Sequence, residues 1–326
     1  MIPESPAGRR RAWVRVLGTA LGLLLLAYLI RQQSWLEIAA ALSRIPAWAF
    51  GLAVVLALLS RLAVVARWRV LLHGAGVAIA WREAARLTFA GLFASNFLPT
   101  TIGGDVVRLA GALRLGGPPA TYAASIAVDR LVGMAGMLTA APLGLPTFIT
   151  WWHARPSGDL GRLSVVGVAA WPSTLQRWIS KAVGGLIGAL GLWLKNPRWL
   201  LAALGCTWVY MLLKFGALAL FFAMLGEPIL LSDVAGLWSL VYFITLIPIS
   251  IGGLGLQEVS ASLIYSQVGG ASLSAALAAA LLLRTVEVLA SLPGALFVSD
   301  ILAGQRGAAG TDGARGAESG TPSAST

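Results

Sequence analysis

The stretch NFLPTTIGGDVVR, from Asn96 to Arg108, sets a carboxylate and a guanidinium beside a proline and a Gly-Gly pair, between two apolar runs. Asp105 and Arg108 are three apart, so on a helix they share a face. Asp105 falls in the first turn after the glycines, where the helix dipole and the open N–H groups favour an anion. The bare backbone at Gly103-Gly104 leaves N–H groups open to a phosphate. Arg108 either pairs with Asp105 or grips such a phosphate with both prongs of its guanidinium. A weaker copy follows: Pro99-x-x-Ile102-Gly103-Gly104 is matched by Pro248-x-x-Ile251-Gly252-Gly253, 149 positions on, and Glu258 stands behind the second Gly-Gly pair. Other charged residues interrupt apolar runs. Asp129 and Arg130 are adjacent and point about 100° apart on a helix, so one of them is placed to reach across to the first break. Arg284 and Glu287 share a face and are read as a self-satisfied pair. Arg61 and Lys214 are read as snorkelling. A charge inside a bilayer costs at least ~2.5–3.5 kcal/mol, so each of these residues is expected to be paired or functional.

The elements that must position these residues are membrane spans. Of the 326 residues, 58% are hydrophobic and only 11% charged, with a mean hydropathy of +0.81. Soluble domains carry roughly 25% charge, so the chain reads as an integral membrane protein. The net charge of +11 does not form one patch. Its arginines border the apolar runs, which fits the positive-inside rule and argues against a nucleic-acid partner. Cys206 is the single cysteine and His73 and His153 are far apart, so neither a disulfide within the chain nor a zinc site is expected, and no cofactor is implied.

Six full spans are expected: about 15–31, 47–66, 120–146, 160–172, 199–225 and 273–298. Residues 1–14, with Arg9, Arg10 and Arg11, make a basic cytoplasmic N-terminus in front of an uncleaved first span. Arg67-Trp68-Arg69 reads as a cytoplasmic interface closing the second span. Residues 84–98 and about 105–115 flank Pro99 and the glycines. Each is shorter than the ~20 residues a crossing helix needs, so they form a re-entrant hairpin. The runs Val234–Ile247 and Leu254–Val268 flank Pro248 in the same way. Broken backbone at that depth must be buried in protein or line a wet cavity. Residues 174–195 repeat apolar positions at 3/4 spacing with basic residues opposite, and read as a cytoplasmic amphipathic surface helix. Glu227 and Asp233 make the next loop acidic and suit the outer face. From 303 to 326 the composition is that of a disordered cytoplasmic tail.

Three full spans lie between the hairpins, so the hairpins enter from opposite faces, provided that 160–172 crosses. The fold expected is an all-α polytopic membrane protein with about six spans plus two re-entrant broken-helix hairpins. Two inverted-topology repeats, about 15–146 and 160–298, make it up. This layout places a site at the midplane where broken helices meet. P-loop, zinc-protease, CxxC and nucleophile-elbow signatures are absent from the sequence, which argues against an enzyme.

Arg67-Trp68, NFLPTTIGGDVVR at 96–108, VDRLVG at 128–133 and IPISIGGLGLQE at 247–258, in this order and spacing, resemble the lysylphosphatidylglycerol synthase transmembrane (flippase-like) family. The resemblance covers 15–298 as a single transmembrane domain. Thr100-Thr101 and Gln257 depart from it: a small residue or glycine is commoner at the first position and an arginine at the second. In two-part members of that family the membrane unit is thought to move a lipid between leaflets, while a separate soluble domain attaches the aminoacyl group. No such soluble domain follows here, so the resemblance implies the flippase-like activity without the synthase. Carried over by motif, Asp105, Arg108, Asp129, Arg130 and Glu258 stand at the family's characteristic positions.

The leading reading is an inner-membrane protein that binds or translocates an anionic phospholipid or lipid-linked head group. Arg108 and Arg130 would neutralise its phosphate, with backbone donors at Gly103, Gly104, Gly252 and Gly253 at the breaks made by Pro99 and Pro248. Asp105, Asp129, Glu258, Arg284 and Glu287 would be charge partners. The rival readings are a non-catalytic accessory subunit for a lipid- or glycan-modifying enzyme, and a membrane-embedded transferase.

Overall fold

The computed structural model describes residue 24 and residues 43–97, 103–154, 193–246 and 253–298. The spans expected at 15–31 and 160–172, most of the 174–195 helix, the N-terminal 1–14, the tail 303–326, and Pro99, Pro248 and Gly252 lie outside these residues.

Every regular element among the described residues is helical. In chain order these are α1 (Ala47–Gly74), α2 (Trp81–Phe97), α3 (Gly103–Leu113), α4 (Pro119–Ala140), α5 (Leu145–His153), α6 (Arg198–Met224), α7 (Leu231–Thr245), α8 (Leu256–Gln267) and α9 (Leu273–Ser291). Single 3₁₀ turns follow α4 (Ala141–Gly144) and α9 (Leu292–Gly294). Four segments are long and apolar enough to cross a bilayer: Ala47–Gly74, Pro119–His153, Arg198–Met224 and Leu273–Val298. They correspond to four of the six expected spans. α2, α3, α7 and α8, at 11 to 17 residues, are too short to cross at 1.5 Å per residue.

The bundle is organised on α1 and α6. Ala49, Ala53 and Ala57 recur every fourth residue on α1 and are buried. Small residues at that spacing let two backbones approach, which is how helices associate where lipid removes the hydrophobic drive. Met211, Phe215, Leu218 and Phe222 of α6 join the same core. The two helices are antiparallel. Arg44, just before α1, donates from Nη1 to the Leu225 carbonyl just after α6, at 3.5 Å. At the other end the Trp193 indole donates to the Leu71 carbonyl at 2.8 Å, and Gly74 lies against Trp199.

Each of these helices leads into a pair of short ones through the same turn. After α1, Gly76 (φ 79°) ends the helix, with Ala75 N–H donating to Leu71 O and Val77 N–H to Leu72 O. After α6, Gly226 (φ 85°) does so, with Leu225 N–H donating to Phe221 O and Glu227 N–H to Phe222 O. This is a Schellman stop, and the left-handed φ is why glycine stands at both positions. Because α1 and α6 are antiparallel, α2 starts at one end of the bundle and α7 at the other.

Both short pairs fold back on themselves. Gly104 on α3 lies so close to α2 that a Cβ there would sit 1.9 Å from Ser95 Oγ and 2.2 Å from the Gly91 carbonyl. The Gly-Gly pair is therefore used, at 104, for helix packing. In the second pair Tyr265 of α8 donates its hydroxyl to the Val234 carbonyl of α7 at 2.7 Å. The chain leaves that pair where it came in, since Ser272 N–H donates to the Glu227 carboxylate at 2.6 Å.

The span expected to end at Arg67-Trp68-Arg69 runs on to Gly74, and Arg67 and Trp68 are buried instead of lying at an interface. Their partners inside the bundle, described below, are the reason. The span expected over 120–146 is found within Pro119–His153, with a 3₁₀ turn at Ala141–Gly144 inside it. There Gly144 meets Gly236 of α7, where a Cβ on Gly236 would lie 2.0 Å from Gly144 N. The corresponding turn of the last span sets Gly294 against α2, where its Cβ would lie 2.0 Å from the Phe89 carbonyl.

Overpacking at such contacts costs roughly 1–3 kcal/mol. Gly236→Ala is expected to lower the thermal unfolding midpoint in detergent. Gly51→Ala, where nothing lies within 4 Å of the added carbon, should leave it unchanged or raise it.

Candidate functional site

Asp129 stands in the middle of α4, fully enclosed. Its two oxygens are divided between two guanidiniums. Arg67 Nε of α1 donates to Oδ1 at 2.7 Å and Arg108 Nη2 of α3 donates to Oδ2 at 3.0 Å. Arg67 Nη1 also reaches Thr207 Oγ1 of α6 at 3.4 Å. The Arg108 guanidinium lies over the Trp68 ring, 4.5 Å from its centroid, and the Trp68 indole donates to Ser125 Oγ at 3.1 Å. A cation over a buried indole face gains from the ring quadrupole. Arg67 and Trp68 are neighbours on α1 and both serve this cluster. Arg108 does not pair with Asp105, because Asp129 faces it from α4.

A second cluster forms on Glu287 of α9. Lys214 Nζ of α6 lies 2.6 Å from Oε1 and Arg61 Nη2 of α1 lies 4.0 Å from it. Lys214 sits over the Trp238 ring of α7 at 4.4 Å. Arg61 and Lys214, expected to snorkel, instead converge here, and neither is more than 11% exposed. The physical reason is depth. Arg61 stands about 20 Å from either end of α1, beyond the reach of a side chain to the head groups.

Arg284 and Glu287 do not satisfy each other. Arg284 pairs with Glu258 of α8, Nε to Oε1 at 3.6 Å, an ion-pair distance rather than a hydrogen bond. In the first turn of α3, Asp105 accepts from Arg130 Nε of α4. The adjacent pair Asp129-Arg130 thus sends its carboxylate to Arg108 and its guanidinium to Asp105. Both contacts reach the first short pair, where one was expected.

The charges do not balance. Arg61, Arg67, Arg108, Lys214 and Arg284 face Asp129, Glu258 and Glu287, and all eight side chains are at most 14% exposed. Five cations against three carboxylates leave two positive charges in excess among these enclosed groups. Arg61 Nε and Arg108 Nε are buried with no hydrogen-bond acceptor among the described residues. Low local dielectric strengthens each of the ion pairs these described groups make.

Of the four site glycines expected from sequence, Gly103, Gly104 and Gly253 are among the described residues. Gly103 and Gly104 are buried at the start of α3, and Gly253 (φ 74°) lies before α8. Arg61, Arg67, Lys214, Trp68 and Thr207 belong to the clusters and were not singled out as site residues. Their signal was a polar residue in the middle of a long apolar run.

The family model of the lysylphosphatidylglycerol synthase TM region matches residues 15–294, most of the 326-residue chain, and the protein belongs to this family. No curated protein matches the chain. It is a multi-pass helical membrane protein of a family tied to lipid processing.

Asp129→Ala would strand two guanidiniums, a change that costs roughly 3–5 kcal/mol when a buried pair is broken. It should lower the unfolding midpoint in detergent steeply. Asp105→Ala breaks a pair whose arginine is 45% exposed and should cost less than about 1 kcal/mol.

Proposed function

We propose that this protein binds an anionic phospholipid or lipid-linked head group and carries it between the leaflets of the inner membrane. The observation that carries this reading is the surplus of two enclosed positive charges. A phosphate cannot cross hydrocarbon alone, and a bundle that is already cationic at depth compensates it without recruiting counterions. Arg108 and Arg130 are the leading phosphate ligands, and both belong to the elements around the first short pair.

The fold supports two inverted-topology repeats, α1 to α5 and α6 to the end of the last span. The turns at Gly76 and Gly226 share one hydrogen-bond pattern 150 residues apart. Gly116 and Gly270, both with left-handed φ, stand three residues before α4 and α9. The short pairs enter from opposite ends and read as re-entrant hairpins. This argument rests on the antiparallel α1 and α6 and needs no assumption about 160–172. The end with Arg69, His73, Arg82, Arg114, Lys195 and Arg198 is taken as cytoplasmic by the positive-inside rule. With those faces, and with the first span that the sequence suggests at 15–31, we read both termini as cytoplasmic. A cleft of ≈ 610 Å³ at that end is lined by Arg82, Arg86, Phe89 and Phe297 among others, a mix of charge and aromatic surface that supports an amphiphilic ligand.

Reconstituted in liposomes with fluorescent lipids, the wild type should speed transbilayer exchange of phosphatidylglycerol over phosphatidylcholine. Arg108→Ala, at matched protein level, should slow it about tenfold, the loss of one charge-assisted contact of about 1.5 kcal/mol. Unchanged exchange in Arg108→Ala would remove the role given to that residue. No exchange by the wild type, together with co-purification of a lipid-modifying enzyme, would favour the accessory reading.

A further inference from the structure

Two ion pairs occupy the same place in the two halves. Asp105 is the third residue of α3 and Arg130 the twelfth of α4; Glu258 is the third residue of α8 and Arg284 the twelfth of α9. Each pair joins the second short helix to the span that follows it. Eleven residues into a helix is about 16 Å, roughly half the hydrocarbon thickness. α4 starts from the end of the bundle where α2 starts, and α9 from the end where α7 starts. The two arginines therefore reach the same depth from opposite faces.

Their surroundings differ. Arg130 and Asp105 are 45% and 23% exposed, whereas Arg284 and Glu258 are 14% and 3% exposed. A charged pair at mid-depth does not face hydrocarbon; its open side faces a water path or a ligand. One pair is open and its counterpart shut.

Resting on the lipid-translocation reading above, we propose that Arg130 and Arg284 are two equivalent stations for one lipid phosphate, used in turn, and that the structure is the state with the Arg130 station open. At each station the first-turn carboxylate holds the arginine until the phosphate displaces it. The Arg284 pair is the looser of the two: its contact is 3.6 Å, beyond hydrogen-bond distance. Glu258 thus holds Arg284 by charge alone, a contact an incoming phosphate can replace. A link between the stations is present in the crossed 3₁₀ turns. The turn after the Arg130 span sits on α7 of the second hairpin, and the turn after the Arg284 span sits on α2 of the first. Shifting either hairpin disturbs the closing span of the other half.

The test uses the full chain in liposomes with Cys206→Ser, carrying Asp105→Cys or Glu258→Cys, and a membrane-impermeant thiol reagent added to one side at a time. The thiol at 105 should react about tenfold faster than that at 258, the ratio expected when one state dominates, and from one face only. Short-chain phosphatidylglycerol should slow it, and short-chain phosphatidylcholine should not. Adding Glu258→Gln, which removes the Glu258 charge from Arg284 while keeping the side-chain shape, should shift the population and lower the rate at 105. Equal reaction at the two positions, reaction at 105 from both faces, or no response to Glu258→Gln would overturn the proposal. Lipid exchange by the parent protein decides the translocation reading separately. Asymmetric labelling without exchange would refute that reading and leave the open-and-shut geometry standing; exchange with symmetric labelling would do the reverse.

Discussion

The arrangement depends on one shared carboxylate. In a bilayer there is no water to satisfy an isolated charge, so Asp129 needs partners and its partners need it. With one oxygen on Arg67 and the other on Arg108, it ties together two long spans and the second helix of the first hairpin. Apolar contacts alone would let such helices slide past each other, because lipid tails compete for the same surfaces. A bidentate charge contact has one register. α3, only 11 residues long, is tied to α4 by this bond as well as by the Asp105–Arg130 pair.

The same constraint explains why polar residues gather in layers. Long helices contribute more than once: α1 gives Arg61 to the Glu287 cluster and Arg67 to the Asp129 cluster, and α6 gives Lys214 and Thr207 to the same two. The central antiparallel pair therefore spans both charge layers, while each hairpin touches one. The aromatic faces of Trp68 and Trp238 give Arg108 and Lys214 a second partner beside their carboxylates.

Much of the helix layout was legible in the chain. The run 199–225 became Arg198–Met224, and 84–98 became Trp81–Phe97, because length and hydropathy report directly on bilayer thickness. The family was legible in its motifs, and Asp105, Arg108, Asp129, Arg130 and Glu258 were legible as charges in need of partners, since they break that hydropathy; each is ion-paired. The pairing was not. Spacing says which residues share a face and nothing about what that face meets. Arg284 and Glu287, three apart, look like a self-contained pair, yet Glu258 and Lys214 claim them from other helices. Arg67-Trp68-Arg69 has the composition of a membrane interface, and only a carboxylate 62 residues away turns two of its three residues inward. Gly144 and Gly236 carried no signal at all, because a glycine in an apolar run is also ordinary span composition.

The crossed docking of the 3₁₀ turns bears on how the protein is made. While the ribosome is still synthesising the second half, Gly144 has no α7 to meet, and α2 has no Gly294. The first half can insert its spans and close the Asp129 bridge, yet one face of its hairpin and the bend in its closing span stay unmatched until the last helix is in the membrane. These contacts can therefore close only after both α7 and the last span are in place. The two parts are interlocked by exchange of contacts rather than laid side by side, so neither is a finished domain by itself.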